Sequence, residues 1–326
     1  MKAMSDYIQG YRGRVKDSEV RRKFPEITQA EVPIWTSGPT MISMADKYIL
    51  AVVVLLIHVF FFIGSYIESL DSQVLPPHVI FFFQIVESTG VLGFVITMLL
   101  LAKINHFANF STSGRWTTAW LLTNTVVPLS WKLMDLIEWL SSRFGMNFSD
   151  PLPVWNDAWF LHLGILSFAI MVVFTILYQR SFRYAITNRR VHIRKSLLYF
   201  DTSVHGIAFH KIENLKADPS ILGRVFGFGN LHIVTGSGVG LQTEGRDMTT
   251  GVANNIPNNV STGVMKLIHM IFGLVTWKRN RTVMASDPAV CLYGIKRPMR
   301  IYRLVNEMID KSSDSSALSE NTEYSA

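Results

Sequence analysis

Residues 48–67 constrain this chain more than any other stretch. They run for about twenty positions without an acid, a lysine or an arginine. A helix rises about 1.5 Å per residue, so a run of that length matches a hydrocarbon layer of about 30 Å. Inside such a layer the backbone must satisfy its own hydrogen bonds, which selects helix for the segment. Three more segments fit the same rule: 78–102, 116–140 and 154–178. The third is the most polar, with Pro128, Lys132, Asp135 and Glu138. Nearly half of the residues are apolar (49%) and only 17% are charged, in keeping with a multi-pass chain.

Charge sets the expected orientation. The loop after the second segment carries Lys103 and Arg115 and no acid, whereas the loop after the first carries Glu68 and Asp71 and no base. Directly after the fourth segment stand Arg180, Arg183, Arg189, Arg190, Arg194 and Lys195, with no acid up to residue 200. Lysine and arginine collect on the cytoplasmic side, so four spans leave both termini there, in a plasma-membrane protein. Those six bases are expected to contact the anionic inner leaflet, at about 1 kcal/mol each. No aromatic-interleaved basic face points to nucleic acid. Residues 1–47 mix acids and bases and are expected to form a cytoplasmic arm. Residues 312–326, rich in serine and acid, are expected to be a disordered tail.

Several ionisable side chains fall inside the spans. Glu87 lies about 14 Å from the outer end of the second helix, with His58 at a similar depth in the first. A charge there costs about 3 kcal/mol, so Glu87 is expected to face the bundle interior, protonated or partnered by His58. Lys132, Asp135 and Glu138 share one side of the third helix, and His162 approaches their level from the fourth. They form either an outward polar pocket or an interfacial Lys132–Asp135 pair. The spacings hold no metal-ligand motif and call for no cofactor.

From residue 179 the pattern changes to short alternating runs. SFRYAIT (181–187) and VHIRKS (191–196), joined at Asn188–Arg190, read as a hairpin. Further strands are expected within 197–200, 204–210, 231–235 and 283–284 or 289–293, with turn chemistry at 227–230. Residues 298–311 place Ile301, Leu304, Val305, Met308 and Ile309 at helical spacing behind Pro298. The runs YAITNRRV (184–191), IAFHKIENL (207–215), ILGRVFGFGNLHI (221–233) and GIKRPMRI (294–301) resemble the bacterial and archaeal PH-like domains often fused to membrane helices. The resemblance covers about 180–236 and 283–311. It implies a PH-like, partly open β-barrel capped by a C-terminal helix, here over 179–311, and it brings no catalytic residues.

Residues 237–282 depart from that pattern as an insertion. Residues 237–262 read as a flexible loop, including the glycines 236, 238 and 240, which lack the ending of a phosphate loop. Residues 263–277 read as an amphipathic helix too short to span, followed by bases. Lys266, Leu267, Ile271, Trp277, Lys278 and Arg279 would sit at the headgroup boundary or against a partner. His205 and His210 fall on opposite faces or near strand ends and share no site.

The function expected from these features is non-catalytic: a membrane-anchored scaffold or accessory subunit of a membrane complex, with protein partners and inner-leaflet lipid. Alternatives are ion- or proton-coupled transport through Glu87 and the Asp135/Glu138 cluster, and action on lipid at the inner leaflet.

Overall fold

A computed structural model describes residues 6–65, 76–108, 111, 115–146, 148, 151–197, 201–247, 278–284 and 287–323. The chain divides into two compact units, Thr40–Ser181 and a second made of Met1–Pro39 with Phe182–Ala326. The segment read as a free arm is therefore part of the C-terminal unit, and the boundaries fall at 39/40 and 181/182.

The Thr40–Ser181 unit is helical: after a 3-10 turn at Met41–Met44 come four helices among the described residues. In chain order, and counting the two short N-terminal helices first (α1, Asp6–Arg12; α2, Asp17–Lys23), these are α3 (Ala45–Gly64), α4 (Pro77–Ala108), α5 (Arg115–Arg143) and α6 (Ala158–Ser181). Three stretches are long and apolar enough to cross a membrane: Met41–Gly64, Phe83–His106 and Ala158–Ser181. The long helix α5 is outside that set, as its lysine and two acids lower its hydropathy. Phe61, Phe94 and Phe160 form the centre of the bundle, with ring centroids 5.3–5.6 Å apart. Glycine lets helices approach: a Cβ on Gly164 of α6 would stand 2.6 Å from His58 Cβ on α3. Gly90 breaks α4 with φ +49°, a conformation that costs glycine little. Trp131 packs edge-on to Trp155 and donates its indole N–H to the Pro153 carbonyl at 2.8 Å.

The other unit is built on antiparallel sheets. One has the order β1-β2-β3-β4: β1 (Pro33–Ser37), β2 (Phe182–Thr187), β3 (Arg190–Leu197) and β4 (Asp201–Ala208). A second has the order β5-β6-β9: β5 (Ile212–Asp218), β6 (Phe228–Thr235) and β9 (Leu292–Lys296). A third is the hairpin of β7 (Leu241–Asp247) and β8 (Lys278–Met284). Strand hydrogen bonds among the described residues thus join three sheets and do not close a barrel. The expected 181–196 hairpin is formed, with Tyr184 opposite Ile193. The short α7 (Ile221–Phe226) is capped by Ser220, whose Oγ accepts from Gly223 N, and ends on Gly227 at φ +71°. Only Gly227 turns; Phe228–Asn230, read as turn, begin β6. The last helix, α8 (Pro298–Glu323), buries Ile301, Leu304, Val305 and Met308 at the spacing read from sequence. It continues to Glu323 through residues expected to be disordered.

Two expectations for the insertion are altered. Residues 241–247, read as flexible loop, form β7, and Lys278 and Arg279, read as flanking a helix, lie in β8 opposite Asp247 and Arg246. Lys266, Leu267, Ile271 and Trp277 lie outside the described residues.

Candidate functional site

In the sheet-bearing unit the N-terminal segment is fixed at three places. Tyr7 of α1 donates its hydroxyl to the Arg300 carbonyl at 2.9 Å, and the Arg303 guanidinium lies over its ring. Burial, first, and the Tyr11 hydroxyl push the Tyr7 phenol up to about 12. Val20, Phe24 and Ile27 pack on Ala185 of β2. Finally β1 adds an edge strand to β2, with an irregularity between Pro33 and Trp35 that leaves Ile34 fully buried. Proline is tolerated there because an edge strand can do without one N–H.

Glu31, immediately before β1, is the buried acid that locks this segment. Its Oε2 accepts from His192 Nε2 at 2.7 Å and from Thr187 Oγ1 at 3.0 Å, while Arg190 Nε stands 3.2 Å from Oε1. Its backbone carbonyl accepts from Arg21 at 2.6 Å. Burial raises a carboxyl's pKa, but these hydrogen bonds and the charges of His192 and Arg190 outweigh it and hold Glu31 below the ordinary range. Glu31 and His192 are buried and only Arg190 is partly exposed, so the carboxylate is closed to a substrate and the cluster acts as a clasp.

The basic residues after α6 divide by role. Arg190 serves Glu31, and Arg194 donates to the Lys23 carbonyl at 2.8 Å and to Glu26 at 3.2 Å. Lys195 is half-buried on β3. Arg180, Arg183 and Arg189 are exposed.

Among the described residues of this unit, α7 groups three exposed large apolar side chains. Val225 is 75% exposed, Phe226 57% and Leu222 44%, with Arg224 exposed among them. Both ends of the tip are tied down: Ser220 caps one, and the Arg297 N–H donates to the Gly227 carbonyl at 2.9 Å at the other. Arg297 itself is exposed and adopts φ +53°. Three large apolar side chains thus stand exposed with Arg224 among them and Arg297 beside them, forgoing burial worth about 1.5–3 kcal/mol each.

With this geometry in view, comparison with known families bears on strands β2 to β7. Residues 133–258 match the bacterial PH domain family. The match runs from within α5 through α6 and the strands to β7, and covers less than half of the chain. The likeness read over 180–236 lies inside it; that read over 283–311 lies outside. No curated protein and no solved structure matches the chain.

The polar residues of the helical unit do not converge as the sequence suggested. His58 is buried, with Nδ1 donating to the Val54 carbonyl at 2.8 Å and the ring 4.7 Å from Phe94. Glu87 is exposed, on the opposite side of the expectation, and the buried Nε2 of His58 has no hydrogen-bond partner among the described residues. The expected Glu87–His58 pair is therefore not made. The break at Gly90, three residues on, reorients the helix that was to bring Glu87 inward. Lys132 and Asp135 pair at 2.9 Å on the exposed side of α5, where Glu138 is exposed too. His162 is exposed and bonds the Ala158 carbonyl of its own helix. Among the described residues no three His, Cys, Asp or Glu side chains are grouped to hold a metal. Sequence reasoning missed Glu31 and the α7 tip of the PH-like unit. The tip carried a signal, since ILGRVF sets Leu222, Val225 and Phe226 at helical spacing beside Arg224.

Proposed function

We propose that the chain is a non-catalytic membrane-anchored scaffold: an accessory subunit whose PH-like unit, held in the cytoplasm by four crossings, docks another subunit of a membrane complex through α7. The observation that carries this reading is the exposed Leu222–Val225–Phe226 tip, hydrogen-bonded at both ends, with Arg224 among its side chains and Arg297 beside it. Aromatic and arginine side chains together are the usual anchors of protein interfaces, and the two arginines call for an acidic rim on the partner.

The four crossings are supported by strand pairing. β1 precedes α3, and β2 follows α6, yet Trp35 pairs with Ile186 and Ser37 with Tyr184. Residues so paired are on one side of the membrane, which requires an even number of crossings between them. Three apolar stretches alone would give an odd number, which supports the reading of α5 as a fourth crossing despite its charges. The basic run after α6 favours the cytoplasmic side for both strands, and it assigns the exposed Arg180, Arg183 and Arg189 to anionic inner-leaflet headgroups.

The test is photo-crosslinking in intact membranes from a diazirine amino acid at position 225. The reading expects a discrete protein adduct that disappears when Phe226→Asp is added, while the variant stays in the membrane and melts at the same temperature. Crosslinks to lipid alone, or a protein adduct indifferent to Phe226→Asp, would overturn the scaffold role.

A further inference from the structure

Where α1 meets the start of α8, the PH-like unit holds a cleft of about 500 Å³. Both helices belong to the same compact unit. On α1 and the turn after it, Asp6, Gly10 and Arg14 line the cleft at every fourth position, with Tyr7 and Tyr11 in the next row, so they share one face. From α8 come Met299, Arg300 and Arg303. Among the described residues none of α7 lines it.

Three arginines and one aspartate line this wall. Arg14 and Arg300 are exposed, and among the described residues their side chains have no ion-pair or hydrogen-bond partner. Arg303 is held in place. Its guanidinium lies 4.7 Å over the Tyr7 ring and its Nε donates to Glu307 at 3.3 Å, which leaves both terminal nitrogens to donate elsewhere. The Tyr7 hydroxyl gives its one proton to the Arg300 carbonyl at 2.9 Å, so Tyr11 is the donor in the 3.4 Å contact between the two phenols. That bond is long, and a better acceptor in the cleft would take it. Gly10 supplies the room. It is helical without a positive φ, and a Cβ there would meet nothing within 4 Å. Neither conformation nor packing requires glycine at that position, and glycine weakens a helix interior. Its missing side chain keeps the floor open between Asp6 and Arg14, about 12 Å apart at helical rise.

We infer that this cleft binds a phosphate monoester with a hydroxyl-bearing body. A dianion with three terminal oxygens matches three guanidinium forks better than a carboxylate, which has two oxygens and one charge. Asp6 opposes a bare anion at its end of the cleft but accepts from a hydroxyl on the body that carries the phosphate. Glycerol 3-phosphate free in solution has this chemistry, and so does a lipid whose headgroup is a phosphate monoester. The site stands independently of the docking role of α7.

The full chain in phosphatidylcholine nanodiscs is titrated calorimetrically with glycerol 3-phosphate, and with dimethyl phosphate as the diester control. Saturable one-site binding of the monoester is expected, about tenfold tighter than the diester. Arg300→Gln keeps the backbone carbonyl that Tyr7 uses and should weaken binding about tenfold, the worth of one charge-assisted hydrogen bond. Arg14→Gln should do the same. Gly10→Phe changes no charge but fills the cleft, and should abolish binding. A melting temperature close to that of the parent chain shows that each variant is folded. The lipid source is read by hydrogen exchange over residues 6–14. Phosphatidic acid in the disc should slow it relative to phosphatidylglycerol if the ligand is a headgroup, and leave it unchanged if the ligand is the soluble ester. Binding that Gly10→Phe leaves intact, or dimethyl phosphate matching glycerol 3-phosphate, would reduce the arginines to an unspecific basic face and overturn the site. So would silence from both glycerol 3-phosphate and phosphatidic acid.

Discussion

Glu31 acts at a distance in sequence that no local pattern spans. It is fully buried, 161 positions from His192, and it converts a loose N-terminal segment into part of the PH-like unit. Replacing it by Gln removes the ion pair with Arg190 and should destabilise the unit by about 2–4 kcal/mol, the range between a lost buried hydrogen bond and a broken buried pair. A shift of the urea midpoint, read on the full chain, checks this. Glu31's pKa is lowered in the folded state, so its stabilisation is fully present above the unfolded carboxylate value of about 4.3 and is lost as pH falls through the lower folded value. Protease access to residues 1–39 should therefore stay low at about pH 5 and rise below about pH 4. In Glu31→Gln that acid step should shrink. Cleavage that rises with the same midpoint in both proteins would assign the step to other carboxylates.

At the scale of elements, the periodicities visible in the sequence survived wherever one element met one neighbour. The 181–196 hairpin and the buried face of α8 are cases in which alternation or helical spacing reports a single packed side. β1 was not legible, because PIWTS is too short to set a period and its partner lies about 150 positions on. The residues before that strand explain why Ala185 and Thr187 are buried although they alternate with Tyr184 and Ile186: Val20, Phe24 and Ile27 cover Ala185, and Glu31 meets Thr187. Within the candidate site, the α7 spacing was readable but the exposure was not, since an apolar stripe ordinarily faces a core. The glycines that shape this tip separate two physical effects. Gly227→Ala places a side chain at φ +71° with nothing within 4 Å, so only conformation opposes it, at about 1 kcal/mol. In Gly223→Ala the new Cβ would lie 2.1 Å from the Phe228 carbonyl oxygen, and the backbone must move, at about 2–3 kcal/mol. Thermal melts of the two variants should fall in that order; equal losses would show that α7 tolerates displacement of β6.

For the whole chain, the pairing of β1 with β2 constrains the parity of the membrane crossings between them, which hydropathy does not. Apolar length identifies three stretches and leaves α5 aside, whereas the β1–β2 register demands an even count. If α5 crosses, the segment after it emerges opposite both β1 and β2. Cysteine labelling reads this directly. The natural Cys291 is fully buried and its thiol is pushed up by burial, so it is a poor reporter in the folded protein and is best replaced by Ala. Single cysteines at exposed Gly10, Met146 and Ser196 then sample the N-terminal segment, the α5–α6 connection and β3. An impermeant maleimide applied to intact cells should label Met146→Cys alone, with Gly10→Cys and Ser196→Cys reacting only after permeabilisation. If positions 10 and 146 react on one side and 196 on the other, α5 does not cross while the three apolar stretches do, and the β1–β2 pairing cannot hold. If all three react on one side, α6 does not cross and an even number of α3, α4 and α5 does.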